Sequence, residues 1–208
     1  MKADSRSKAI LVPRSDRGRA TRARLLSAAE ESFGEHGFAA ASVSDIVRRA
    51  GVSQGSFYVY FPSKESIFEE LINDMARDIR RTTREAAAAA QSRNDAEVAG
   101  ALAFFSWLRG HRYLHRILHQ IDQVDESISK QFYRSIAAGY VSGLEASIEL
   151  GEVEAIDPEL LAYALMGISH FVSMRYVLWT EDDFPLALVN DFERILRNVL
   201  GVKDLDGK

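Results

Sequence analysis

Apolar residues recur at helical spacing over most of the chain. Between Ala20 and His36, for example, Leu25, Ala29 and Phe33 lie four residues apart and form one apolar stripe of an amphipathic helix. No run of alternating apolar and polar residues is bounded by turn residues, so strands are not expected. The pattern predicts an all-α protein of about nine helices.

Capping residues and glycines divide the region after this first helix into short segments. Gly37 is expected to end helix one, and Ser42 with Asp45 forms a capping-box pattern before a second helix over residues 43–50. A third helix is expected over residues 54–60. Two short helices joined by a tight turn containing glycine are typical of a helix-turn-helix.

Six further helices are expected in the remainder, of which the third is short. They run from Lys64 into the alanine run 86–90, from a cap at Asp95 to Gly110, over residues 113–121 and 125–150, from Asp157 to about 180, and from Asp183 to Gly201. The helix that follows Asp157 is apolar nearly all round, which requires burial on more than one side. We therefore expect a homodimer with a four-helix contact between subunits.

Composition and charge narrow the function classes. The chain has 208 residues, 47% hydrophobic, and its lack of cysteine excludes disulfides and thiolate chemistry. We expect no apolar run to approach the roughly 20 residues of a membrane span. The protein is therefore expected to be cytoplasmic and to have no membrane partner. The net charge of −4 divides into +5 over residues 1–64 and −9 over residues 65–208. A basic head favours a polyanion partner, and the alternative is a solvated basic arm.

The exposed face of the third helix is the first candidate site. It carries small or hydrogen-bonding residues, namely Gln54, Gly55, Ser56, Tyr58 and Tyr60. Such groups suit contact with base edges and phosphates. The alternative is a three-helix bundle in which the aromatic residues are core, and we expect that role for Phe57 and Phe61 but DNA contact for Tyr58 and Tyr60.

Residues 22–68 resemble a known family of regulators. The resemblance rests on Gly37-Phe38, on Ser42 to Val47 (SVSDIV) and on Ala50 to Glu65 (AGVSQGSFYVYFPSKE), which resemble the DNA-binding domain of TetR-family transcriptional regulators. It implies a homodimeric repressor that binds a near-palindromic operator and releases it when a small molecule enters the helical body. The implied organisation is a flexible basic arm over residues 1–18, a DNA-binding domain over 19–64 and a ligand-binding and dimerisation domain over 65–203.

Carried onto this chain, the resemblance implies specific DNA contacts. Ser42 and Lys64 would contact phosphate, Ser44 would lie nearest the bases on helix two, and Tyr58 and Tyr60 would meet the backbone. The residues that would face the major groove are Gln54, Gly55 and Ser56. Many family members carry Lys or Arg where this chain has Gln54, and glutamine suits adenine, so a different base preference is expected. Further phosphate or minor-groove contacts are expected from Arg14, Arg17, Arg19, Arg22 and Arg24.

The expected ligand pocket lies between helices five and eight. Its candidate lining is Phe104, Trp107, Tyr113, Phe132, Tyr133, Tyr140, Met166, His170 and Met174, with Arg109, Arg175 and His170 as polar anchors. The alternative for each is plain core. Residues 151–159, Met166-Gly167 and Arg175 also resemble family members that respond to acyl-CoA-like or aromatic ligands.

Three histidines spaced four residues apart are the remaining chemical feature. His111, His115 and His119 could share one helix face, as zinc ligands do, but no carboxylate accompanies them at matching spacing. We expect no metal, no cofactor and no enzymatic activity, since no catalytic motif is present. The alternatives are a DNA-binding protein without small-molecule control and a small metal-dependent helical enzyme.

Overall fold

A computed structural model describes residues 13, 15–180 and 182–202, except for the side chains of Leu114 and His119. Within those residues it is all helical, with nine α-helices and no strand, which confirms the predicted fold class. The helices are α1 (Asp16–Ala40), α2 (Val43–Ala50), α3 (Gln54–Tyr60), α4 (Lys64–Ala87), α5 (Arg93–Gly110), α6 (Arg112–Val124), α7 (Glu126–Glu149), α8 (Pro158–Ser173) and α9 (Val189–Leu200). A π-helical turn, Met174–Leu178, and a 3-10 turn, Leu186–Leu188, lie between α8 and α9.

The described residues form two compact units. The head unit comprises those up to Asp74 together with Tyr113–Ser129, and the body unit comprises Met75–Arg112 together with those from Lys130 onward. Helix α6 from Tyr113 onward therefore belongs to the head unit, along with the first part of α4. The functional division into a DNA-binding domain over 19–64 and a ligand domain over 65–203 stays a prediction.

Helix α1 begins earlier than expected. Its N-cap is Ser15, whose Oγ accepts a hydrogen bond of 3.1 Å from the Gly18 amide, so residues 16–18 are helical although an arm was expected there. Residues 1–12 and 14 of that arm lie outside the described part of the chain. Gly37 interrupts the helix at φ 79° and ψ 159°, and one further turn follows before Ala41. A positive φ of this kind favours glycine.

Two other predicted helix starts are wrong. The N-cap of α5 is Ser92, whose Oγ accepts from the Asp95 amide, so Asp95 lies in the first turn instead of capping it. Helix α9 begins at Val189, after the 3-10 turn, and not near Asp183. The start of α8 is confirmed, because Asp157 accepts a hydrogen bond of 2.7 Å from the Leu160 amide.

Each unit has its own aromatic core. In the head unit Phe57 and Phe61 are fully buried, as predicted, and the rings of Phe33 and Phe68 meet edge to face at 5.2 Å. In the body unit the ring centroids of Phe105, on α5, and Phe192, on α9, are 5.5 Å apart. These cores hold the outward faces of α3 and α8 in place.

Helix α8 has both a buried and an exposed apolar side. Leu161 and Leu165 are buried in the body unit, whereas Leu160 and Phe171 are each 65% exposed. Among the described residues, the helical stretch Pro158–Leu178 is long and apolar enough, by length and composition alone, to cross a membrane. The expectation that no stretch approaches that length was therefore wrong. About a third of this stretch (33%) is fully buried within the chain, and its exposed large apolar residues are Leu160, Tyr163 and Phe171.

Candidate nucleic-acid interface

A polar network fixes α2 against α1. The Ser42 side chain caps α2 by accepting from the Asp45 amide, but the Asp45 carboxylate does not complete the capping box. It accepts instead from Ser32 at 2.8 Å and from Arg49 at 2.9 Å, and Arg49 also bonds Glu35 at 2.6 Å. The hydrogen bond from Ser32, followed by those from the arginines, lowers the pKa of Asp45. An ionised Asp45 thus ties the two helices together at neutral pH.

Helix α3 is capped and anchored so that one face stays open. Ser53 accepts from the Ser56 amide, and Phe57 is fully buried beneath the helix. Gln54 and Gly55 are exposed in the first turn, and Tyr58 is 46% exposed. A Cβ added to Gly55 would meet only the Ser53 hydroxyl, at 3.9 Å, so nothing in the described structure requires glycine there.

The other residues predicted to contact DNA differ in how exposed their side chains are. Ser42 and Ser44 are exposed, while the Ser56 hydroxyl pairs with that of Ser53 at 2.9 Å. Tyr60 is half-buried, with its hydroxyl beside Gly18 at the start of α1. These positions are compatible with DNA contact, which stays a prediction for each of them.

Val59 is a residue of this face that the sequence reasoning missed. It is 57% exposed and lies four residues after Gly55, on the same side of α3. An exposed valine suits contact with a thymine methyl group. Its helical spacing from Gly55 was the available signal.

Lys64 has a contact that the resemblance did not indicate. Its Nζ donates to the carbonyl oxygens of Phe38 at 2.7 Å and Ala41 at 3.0 Å, and it lies 4.3 Å from the Phe38 ring centroid. The first residue of α4 therefore clamps the turn that precedes α2. The predicted phosphate contact would have to use the remaining ammonium hydrogen.

Helix α6 packs on the C-terminal part of α1 within the head unit. The Tyr113 ring lies so close to Gly34 that a Cβ there would overlap it, and Gln120 accepts a hydrogen bond of 2.6 Å from the Phe38 amide. Arg116 donates to the Gly34 carbonyl at 3.3 Å. Tyr113 was expected to line the ligand pocket, but the structure places it against α1. The buried glycine inside α1 was the one local signal for this contact.

The arginines near the start of α1 differ in what they contact. Arg22 pairs with Glu70 at 2.6 Å and lies over the Phe61 ring at 5.6 Å, which makes it a packing residue of the head unit. Arg17 and Arg24 are exposed, and Arg19 pairs with Asp16. Arg14 lies outside the described residues.

The remaining ligand candidates belong to the body unit. Most are half-buried (Phe104, Trp107, Tyr140, Met166, His170 and Met174), Phe132 is buried and Tyr133 is exposed. The Trp107 indole donates to Asp78 at 2.7 Å and stacks on His111 at 4.1 Å. Of the proposed anchors, Arg109 is exposed and pairs with Asp183, and Arg175 is exposed over Tyr176.

The histidine spacing does not develop into a described metal site. His111 bonds the Trp107 carbonyl at 2.8 Å in addition to stacking on its ring. The side chain of His119 lies outside the described part. Over the side chains that are described, no group of three metal-ligating residues occurs.

Comparison with known proteins assigns the family. The profile of the family described as "Bacterial regulatory proteins, tetR family" matches residues 25–71. The chain is 33% identical to the uncharacterized HTH-type transcriptional regulator YdgC of Bacillus subtilis, over 86% of this chain and 92% of that protein. It is 28% identical to the fatty acid metabolism regulator protein of the same organism, over 79% and 86% of the two chains.

A solved structure extends the likeness to the whole fold. The transcriptional regulator FadR from Bacillus subtilis, in complex with stearoyl-CoA, superposes with a TM-score of 0.70 at 22% identity, over 87% of this chain and 99% of that one. This similarity establishes a shared fold. With the helix-turn-helix of α2 and α3 in place and a relative similar over nearly its full length, the chain belongs to the TetR family of bacterial regulatory proteins.

Proposed function

We propose that this protein represses transcription as a homodimer that binds a palindromic operator and leaves it when a small, largely apolar ligand binds the body unit. Family membership makes the chain a DNA-binding transcriptional regulator, and the relatives that it matches are transcriptional regulators. The observation that carries the proposal is the open face of α3, held outward by buried Phe57. The site of action is the cytoplasm, where bacterial chromosomal DNA lies.

The DNA contacts divide into base and backbone contacts. In the proposal Gln54, Gly55 and Ser56 face base edges in the major groove, with Val59 beside them and Ser44 nearby on α2. Ser42, Tyr58 and Tyr60 contact phosphates. Gln54 suits adenine because its amide matches the adenine donor and acceptor pair.

The operator test uses DNA from the source genome. Full-length protein should enrich one or a few sheared fragments that share a palindrome. Gln54→Ala should then lower the discrimination between bases at one position of each half-site by about 1–3 kcal/mol. Tyr58→Phe should weaken binding to all DNA sequences by the same factor. Failure to enrich any fragment, with and without a metabolite extract, would refute the operator proposal.

The exposed face of α8 supports the dimer. Leu160, Tyr163 and Phe171 recur at helical spacing and are all exposed, and Ile195 of α9 is also exposed. Exposed apolar residues on one face mark interaction surfaces, and a second copy of α8 and α9 would give the four-helix contact. Phe171→Glu should convert the dimer to monomer in analytical ultracentrifugation. A dimer of unchanged affinity would place the interface elsewhere.

The ligand proposal rests on the body unit and on the named relatives. One relative is a fatty acid metabolism regulator and one similar structure holds stearoyl-CoA. We therefore propose an acyl-CoA-like ligand or an aromatic one, enclosed by the half-buried candidates of α5, α7 and α8. Addition of acyl-CoA of suitable chain length should release the purified protein from its operator. Release by no apolar ligand would favour a regulator without small-molecule control.

A further inference from the structure

Two arginines of the body unit lie along one face of α7. The Cγ and Cδ atoms of Arg80, on α4, would lie 3.7 Å from a Cβ at Gly139. The guanidinium of Arg93, on α5, occupies the space that a Cβ at Gly143 would need. Because Gly139 and Gly143 are four residues apart, the two arginine side chains pack one helical turn from each other.

The hydrogen-bonding capacity of these arginines is largely unused. Arg80 Nη1 makes one long bond, of 3.4 Å, to the Ser135 carbonyl, and its buried Nε has no acceptor among the described residues. In the same described part, no carboxylate pairs with Arg80. Arg93 pairs with Glu97, but its Nε is also buried without an acceptor. Buried donors without acceptors are rare in folded proteins and destabilise them.

Two buried titratable groups lie beside Arg93. Glu97 is 6% exposed, and burial, opposed by Arg93, raises the pKa of its carboxyl. Burial, reinforced by Glu97, also raises the pKa of Tyr140, so its hydroxyl stays protonated and able to donate. Among the described residues, Glu97 supplies the one carboxylate that pairs with either guanidinium group, and it pairs with Arg93.

We propose that Arg80 and Arg93 form the binding site for the oxyanion head group, carboxylate or phosphate, of the effector. The proposal rests on the apolar effector of the proposed function and adds its charged end. A guanidinium presents a planar fork of donors that matches two oxygens of such a group. The arginines expected from the sequence are less suited, because Arg109 is exposed and paired with Asp183, and Arg175 is exposed.

The test measures binding of three twelve-carbon probes to the full chain by isothermal titration calorimetry. Laurate carries a carboxylate, lauroyl-CoA carries phosphates, and 1-dodecanol carries neither. The test variant is Arg80→Met, which keeps the length and apolar stem of the side chain. The matched control is Arg84→Met, one turn along α4 and exposed. Arg93 is left intact, because its removal would leave Glu97 buried without a cation.

The expected result is a loss confined to the anions. Wild type should bind laurate or lauroyl-CoA more tightly than dodecanol. Arg80→Met should lower the affinity for that anion by roughly tenfold to a hundredfold. Dodecanol binding should not change, Arg84→Met should match wild type, and Arg80→Lys should retain part of the anion preference. If Arg80→Met loses affinity for laurate alone, the head group that the site binds is a carboxylate. If it loses affinity for lauroyl-CoA alone, the head group is a phosphate.

Two other results would overturn the proposal and differ in what else they refute. If Arg80→Met binds both anions as wild type does, or if wild type binds dodecanol as tightly as the anions, the oxyanion site is wrong while an apolar effector survives. If wild type binds none of the probes, both the oxyanion site and the acyl form of the proposed ligand fall, and only the aromatic form is left. Unchanged far-UV circular dichroism of Arg80→Met ensures that a loss reflects binding.

Discussion

Replacement of Lys64 by methionine separates a structural role from a DNA contact. The variant keeps the apolar stem but loses two charge-assisted hydrogen bonds, to Phe38 and Ala41, and the interaction with the Phe38 ring. Each such bond contributes about 1.5–3 kcal/mol and the ring about 0.5–1 kcal/mol, and contributions that share one ammonium are not additive. We expect the free energy of unfolding of the head unit to fall by about 2–4 kcal/mol.

Urea unfolding followed by far-UV circular dichroism measures this loss. With a denaturant slope of about 2–3 kcal/mol per molar, the midpoint should fall by roughly 0.7–2 M, or the head unit should unfold in a separate earlier step. The control is Arg24→Met, which removes one positive charge from an exposed position of the same unit. Equal midpoints for the two variants would refute the structural role.

The salt dependence of operator binding tests the predicted phosphate contact of Lys64. A lost phosphate contact lowers the slope of log K against log salt by about one unit. A residue that only clamps the turn before α2 changes the affinity and leaves the slope as it is. We expect the slope to be retained, because two carbonyl oxygens already hold the ammonium group in the free protein.

Three further changes test other contacts of the head unit. Gly34→Ala should cost about 1–3 kcal/mol in thermal unfolding because the new methyl overlaps the Cβ and ring of Tyr113. The cost should be smaller in a Tyr113→Gly background, which removes both the ring and the Cβ, and equal costs in the two backgrounds would contradict the contact. The stability from Asp45, whose pKa is lowered chiefly by Ser32, should be complete above its ordinary value of 3.8 and lost as the pH falls through the lower folded value. Asp45→Asn should reduce the loss of stability at acid pH, measured as the free energy of unfolding against pH. An unaltered pH dependence would argue against the network. Gly55→Ala should stabilise the free protein by up to about 1 kcal/mol yet weaken operator binding at least tenfold, and an unchanged operator affinity would exclude close approach of α3 to the bases.

Helix positions in the head unit were largely predictable from local sequence. The bounds expected for α2 and α3 match the structure, because Ser42 and Ser53 cap the helices by bonds to residues only three positions away. The burial of Phe57 and Phe61 followed from their helical spacing. The start of α1 was missed because a basic, proline-containing stretch resembles a solvated arm, although Ser15 caps the helix there.

The candidate site was predictable only in part. The face of α3 followed from periodicity and from the family resemblance, with Val59 as the omission. Tyr113 was expected to line the ligand pocket but packs on Gly34 of α1. Gly34 is 79 positions away in the sequence, and no local pattern indicates such a contact. The expected anchors Arg109 and Arg175 illustrate the same limit, since the sequence shows their charge but not their exposure.

By itself the sequence determined the all-helical class, the helix-turn-helix and the family, since these depend on periodicity, caps and a motif encoded within short windows. Tertiary structure alone decided which side chains meet across long separations. It places Lys64 on the carbonyls before α2, Gln120 on the Phe38 amide, and Arg80 with Arg93 along α7. The physical reason is that a buried polar or charged group is stabilised by whichever acceptor the packed helices bring to it, and that neighbour is specified by the fold and not by adjacent residues.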